Sequence, residues 1–216
     1  MLIAFAGADG AGKSTLSKLV EQELRRKGFD AVRLDRFDIL NHAMTPASRF
    51  IETDILTLRQ SVMAMPSASA RLLFILWSMA ITASSQINDH PGRVIIYDSY
   101  WMKHTAAEII FGADEQAAIA AAGLLPKPDL VFYIRLESEH LLARKPDDRV
   151  PYECGFDADC RPESFLSHQR RIQAYLDAWS KRFGWQEIDG AKSQHALAAE
   201  LAGRIEAAMA PQGAHP

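Results

Sequence analysis

Gly7-Ala-Asp-Gly-Ala-Gly-Lys-Ser14 sets the architecture expected of the whole chain. It fits the spacing G-x-x-x-x-G-K-[ST] at every fixed position. Before it, Met1 to Ala6 is a short apolar run, which predicts a buried parallel strand. After it, Lys13 to Lys27 carries Leu16, Leu19, Val20 and Leu24 at helical spacing, with Gly28 as a stop. Strand, glycine loop and helix in this order aim backbone N–H groups and a helix N-terminus at a polyphosphate. Gly10 and Gly12 permit the tight backbone that a side chain would block. The spacing gives Lys13 the reach to β- and γ-phosphates and sets the Ser14 hydroxyl on Mg²⁺. Residues Gly7, Asp9, Gly10, Ala11, Gly12, Lys13, Ser14 and Thr15 form the candidate ATP site.

The chain has 216 residues, enough for one sizeable α/β domain. A net charge of −3 gives no basic field to argue for nucleic acid or an anionic membrane as partner. Cys154 and Cys160 are too few for a disulfide framework and fit no zinc spacing. They read as free thiols of a reducing compartment, with a single bridge as the alternative. No leader pattern is read at the N-terminus. The longest apolar stretch, Leu72 to Ala83, falls short of the ~20 residues of a bilayer span and reads as a buried helix. A cytoplasmic location is the expectation.

Strands are predicted at Leu2–Ala6, Ala31–Leu34, Val94–Tyr97, Leu130–Ile134 and Trp185–Ile188. Helices are predicted at Lys13–Lys27, Ser48–Met63, Ser67–Asn88, Lys103–Ala122 (broken near Gly112), Glu137–Arg144, Pro162–Phe183 and Ser193–Met209. This alternation predicts a three-layer α/β fold with a mainly parallel five-stranded sheet and helices on both faces. Ligands of such sheets bind at the carboxyl ends of the strands, where Gly7, Asp35, Asp98 and Arg135 fall. Residues 1–210 are expected to form a single domain, with 211–216 as a flexible tail. The polar, proline-containing segment 145–162 breaks the rhythm and reads as an active-site lid.

Asp98 closes an apolar strand, where an acid serves Mg²⁺, directly or through water, or the second substrate. Asp9 sits inside the loop, where a carboxylate repels phosphate; it reads either as an acceptor of a hydroxyl proton or as a solvated tip. Arg144, Lys145 and Arg149 open the lid and supply cations for charge developing on a transferring phosphoryl group. Asp147 and Asp148 interleave with them, so a solvated charged turn is the plain alternative. Phe74 and Trp77 lie on an apolar helix, where aromatics more often serve the core than a base. The seven histidines show no zinc-ligand spacing and no G-x-S-x-G elbow occurs.

Taken together these residues resemble the thymidylate kinases of the nucleoside monophosphate kinase group, over most of the chain and in the same order. Gly7 to Thr15 looks like that family's phosphate loop, and Asp9 like its acid that contacts the sugar 3′-hydroxyl. Leu72-Leu73-Phe74 resembles the segment whose phenylalanine stacks on thymine. Pro128 to Ile134 resembles its fourth strand, Glu139 to Lys145 its helix before the lid, and Asp148-Arg149 an Asp-Arg pair of that lid. Ile188-Asp-Gly-Ala191 resembles the late loop near adenine, which adds Ala191 and Lys145 to the ATP-binding candidates. The resemblance implies a P-loop kinase fold, ATP and Mg²⁺ as cofactors, a small nucleotide-like acceptor and often a homodimer. The apolar helix from Arg71 to Ala83 suits a homodimer contact as well as core.

Two departures bear on the acceptor. The family has Asp-Arg-Tyr where this chain has Asp98-Ser99-Tyr100, and that arginine binds the acceptor phosphate. A second arginine, usual near Ser78, is also missing. Arg36 and Arg71 are the candidate replacements, beside Asp9, Phe74, Ser99 and Tyr100 as acceptor-binding residues. The reading is transfer of a γ-phosphoryl group to a nucleoside monophosphate through an altered acceptor-phosphate site. Its alternatives are a nucleoside or metabolite kinase with Asp35 or Asp38 as base, or a nucleotide-binding switch.

Overall fold

The computed structural model describes residues 1–145 and 149–210. Its core is a five-stranded sheet of β1 (Leu2–Ala6), β2 (Ala31–Leu34), β3 (Val94–Tyr97), β4 (Leu130–Arg135) and β5 (Gln186–Asp189). The strands are ordered β2-β3-β1-β4-β5 and every pair is parallel. Parallel pairing needs crossovers, supplied here by α1 (Lys13–Arg26), α3 (Ala68–Asp89), α4 (Trp101–Ile110), α5 (Glu115–Ala122) and α7 (Pro162–Phe183). Shorter α2 (Ile55–Met63) and α6 (Ser138–Arg144) lie between them, and α8 (Gln194–Met209) ends the fold.

Alternation along the strands divides the core into two layers. Leu2, Ala4 and Ala6 of β1, with Ile95 and Tyr97 of β3, face α3, α4, α5 and α7. Ile3 and Phe5, with Val94 and Ile96, face α1 and α8. Both faces of every central strand are thus covered, which is why these strands read as continuous apolar runs. The order in which strands are added reverses at β1: β2 and β3 lie on one side of it, β4 and β5 on the other. The crevice beyond its carboxyl end is the switch point where such sheets take ligands. The expected five strands and parallel three-layer fold are present.

The helix expected over 48–63 begins only at Ile55. Asp54 is extended, and its carboxylate accepts the N–H of Thr57, so the helix starts at this cap. Pro46–Ser48 forms a separate 3₁₀ turn, and Arg36–Leu40 another. The helix expected from Lys103 starts at Trp101 and stops at Ile110. By length and composition α3 could cross a bilayer, but half of its apolar window is packed inside the fold. Cys154 and Cys160, read as free thiols, are joined as a disulfide across a separation of six residues. Pro151–Cys154 is a 3₁₀ turn, and the reversal through Gly155 (φ 69°) returns the chain for the bridge. Pro146, Asp147, Asp148 and the expected tail 211–216 lie outside the described residues.

Candidate active site

The loop after β1 is shaped by two left-handed glycines, Gly10 (φ 85°) and Gly12 (φ 89°). A Cβ on Gly10 would stand 2.6 Å from the Leu141 carbonyl oxygen, so the loop packs directly on α6. At Gly12 a Cβ would collide with the Gln194 amide of α8. Gly12 is the N-cap of α1, with no side-chain cap and no acid in the first turn. The first N–H groups of α1 are therefore left to an external acceptor, as a phosphate requires. Lys13 is buried and donates to the Ala8 carbonyl at 2.7 Å. Burial lowers its pKa to about 8, against the opposing pull of Asp9. Ser14 and Thr15 are exposed on the first turn.

Asp98 follows β3 and is buried; its Oδ2 accepts from Arg33 of β2 at 2.9 Å, and its Oδ1 has no partner. Lys13 is within electrostatic range of Asp98, Asp9 and Glu153. No group of three or more His, Cys, Asp or Glu able to hold a metal occurs among the described residues.

Of the three cations on the lid side, Arg144 reaches the phosphate loop. Arg144, at the end of α6, donates to Ala11 O (3.4 Å) and Gly190 O (2.9 Å), tying the phosphate loop to the loop after β5. Ala191 is exposed there, its N–H held by Asp189. Lys145 pairs with Glu153 at 2.6 Å, and Arg149 donates to the Lys145 and Cys160 carbonyls.

The acceptor-side candidates divide. Phe74 is half-buried and lines a cavity of about 10 Å³ with Arg36, Phe37, Arg59 and Ser78, room for about one water. Arg36 stacks on the Phe37 ring (4.7 Å), and its Nη1 is buried without a partner. Arg71 is not available to an acceptor in this arrangement: Glu108 of α4 holds it at 3.0 Å, and its Nη1 donates to the Met65 carbonyl. Tyr100 is likewise turned into the core, fully buried against Tyr97 and donating to Pro126 O. Ser99 adopts a left-handed φ of 59°, with its hydroxyl buried and unpartnered. Arg135 points outward to Asp177. Asp35 and Asp38 cap the 3₁₀ turn reciprocally: Asp38 accepts the Asp35 N–H and Asp35 that of Phe37. Burial raises Asp38 to about 6.

Residues that sequence reasoning passed over complete the site. Lys103 of α4 pairs with Asp9 at 2.7 Å, and both are buried. Burial alone would raise the Asp9 pKa; Lys103, then Lys13, override it and hold the carboxyl well below the usual range. Gln169 of α7 accepts the Asp9 N–H at 2.9 Å and donates to Asp9 Oδ2 and to the Glu153 carbonyl. The only signal for Lys103 was a lysine in the first turn of a helix with no acid beside it; the buried Gln169 gave none.

No protein-family model matches the chain. It is 25% identical to a probable thymidylate kinase 1 of Saccharolobus solfataricus over 194 residues, 90% of each chain. It is 26% identical to a probable thymidylate kinase of Sulfurisphaera tokodaii over 153 residues, 70% of this chain and 72% of that one. A thymidylate kinase of Desulfotalea psychrophila is 28% identical over 140 residues, 64% of each. With the sheet order and loop geometry, these likenesses define a phosphotransferase of the nucleoside monophosphate kinase type on a P-loop kinase fold. Within that type the protein is thymidylate kinase-like.

Proposed function

We propose that the chain transfers the γ-phosphoryl group of ATP to a nucleoside monophosphate, with thymidylate as the first candidate acceptor. The carrying observation is the uncapped N-terminus of α1 with Lys13, set within electrostatic range of Asp98 and Asp9 at the switch point of the sheet. Lys13 and the loop N–H groups bind the phosphates of ATP, with Arg144 and Lys145 beside them and Arg149 on the lid. Ser14 and Asp98 would hold Mg²⁺, which would supply neutralisation of phosphate charge. Gly12 and Ala191 flank the nucleotide. Asp9 orients the acceptor sugar and Phe74 its base, once the small cavity beside Arg36 opens. Catalysis rests on positioning and electrostatics, with no covalent enzyme intermediate.

Asp38 spends its carboxylate on the Asp35 N–H and Asp35 its own on the Phe37 N–H, which argues against either as the base of a nucleoside kinase. The chain works as one domain over 1–210 with segment 145–162 as its lid. It pairs as a homodimer through α3, whose Leu73 and Trp77 are exposed. The test is ADP release over a panel of nucleosides and nucleoside monophosphates, with Lys13→Ala as control. Stimulation by a monophosphate, absent in the control, is expected; no stimulation by any acceptor overturns the reading.

A further inference from the structure

We propose that Lys103 is the acceptor-phosphate ligand of this chain, its ammonium passing from Asp9 to the acceptor's 5′-phosphate and replacing the arginine absent at Ser99. The inference rests on the reading of the chain as a nucleoside monophosphate kinase and names the side chain that makes its acceptor a monophosphate.

Lys103 is placed at a cost. It is 8% exposed and sits in the first turn of α4, where the helix dipole is positive and no acidic residue offsets it. A lysine in that position adds to the field of the helix instead of balancing it, and the combined positive charge suits a dianion. Its ammonium has three donors, and the hydrogen bonds of the described residues engage one of them, through Asp9 Oδ1 at 2.7 Å. Two donors remain for oxygens that the described residues do not provide. Two residues between β3 and α4 carry the same sign of incompleteness: Asp98 Oδ1 and Ser99 Oγ are both buried and unpartnered.

Two of the competing cations are committed elsewhere: Arg71 is bound by Glu108 and Arg33 by Asp98. Arg36 lies on the Phe37 ring with Arg59 on the same ring, lines the cavity beside Phe74 and keeps an unpartnered Nη1, so it is a second cation on the acceptor side. Lys13 belongs to the loop that holds the donor phosphates. Asp9 keeps its place when Lys103 leaves, because Gln169 holds both its N–H and its second oxygen. One exchange therefore frees a carboxylate oxygen for the sugar and delivers a cation to the phosphate.

The test compares thymidine 5′-monophosphate with thymidine as calorimetric ligands, in wild type and in Lys103→Met and Lys103→Arg variants. Wild type should bind the monophosphate at least roughly 10-fold more tightly, as expected of a charge-assisted contact. Lys103→Met should bring the two affinities together while ATP affinity changes less than about threefold, and Lys103→Arg should keep the preference. Lys103→Met leaves a buried carboxylate unpaired; if it does not fold, Asp9→Asn/Lys103→Met carries neither charge and is compared in its place. An unchanged preference in the variant overturns the inference, as does an equal loss for both ligands. So does a wild type that binds neither. The broader kinase reading fails on a different result, the absence of acceptor-stimulated ADP release in the wild type.

Discussion

Lys13, which we propose binds the phosphates of ATP, is held in place at the expense of stability. In the unfolded chain its ammonium titrates near 10.4, and burial brings this down to about 8 in the fold. Below pH 8 both states are protonated and the full cost of burying the charge is present. Between about 8 and 10 the unfolded chain holds a proton that the folded chain has shed, so stability rises with pH across that window. Lys13→Met removes the cost. It should unfold in urea at pH 7 with a free energy about 1–3 kcal/mol larger than wild type, the gain shrinking by pH 9.5, while ATP turnover is lost. A variant less stable than wild type at pH 7 would contradict this. The loop itself was legible from eight consecutive residues because its geometry is local. The partner of Asp9 was not, since Lys103 lies 94 positions away and only the fold brings them together.

Between elements, the fastening of α3 to α4 is the most exposed to mutation. Arg71 and Glu108 pair at 3.0 Å with both side chains nearly excluded from solvent, and Tyr152 donates to Glu108 at 3.0 Å. Removing one partner strands the other charge, so Glu108→Ala should cost about 3–5 kcal/mol in chemical denaturation. The double variant Arg71→Met/Glu108→Leu, which buries apolar groups of similar size, should recover most of that loss. A double variant as unstable as Glu108→Ala would show that geometry, not charge, carries the contact. Element existence was readable from periodicity, and all five strands fall where apolar runs predicted them within a residue or two. Element starts were less so. The start of α2 waits for the Asp54 cap and the Cys154–Cys160 bridge depends on a left-handed turn at Gly155, neither of which periodicity records. Arg71 looked like a spare cation because Glu108 lies on another helix, 37 positions away.

Across the whole molecule, two core layers grip a sheet whose carboxyl edge gathers loops from both sides of β1. Arg144 of α6 ties the phosphate loop to the loop after β5, and Gln194 of α8 lies against Gly12, so elements far apart in sequence meet at this edge. A ligand that binds only this assembled edge stabilises the fold by mass action, by about 2.7 kcal/mol at a concentration 100 times its dissociation constant. For a chain of this length each kcal/mol moves the midpoint by about 2–4 °C. A non-hydrolysable ATP analogue with Mg²⁺ at that concentration should therefore raise Tm by about 5–10 °C. The same concentration should shift Lys13→Ala by less than about 2 °C, because the variant no longer approaches saturation. Equal shifts in the two proteins would mean that the nucleotide binds away from the loop, and calorimetric scans of both, with and without Mg²⁺, decide it.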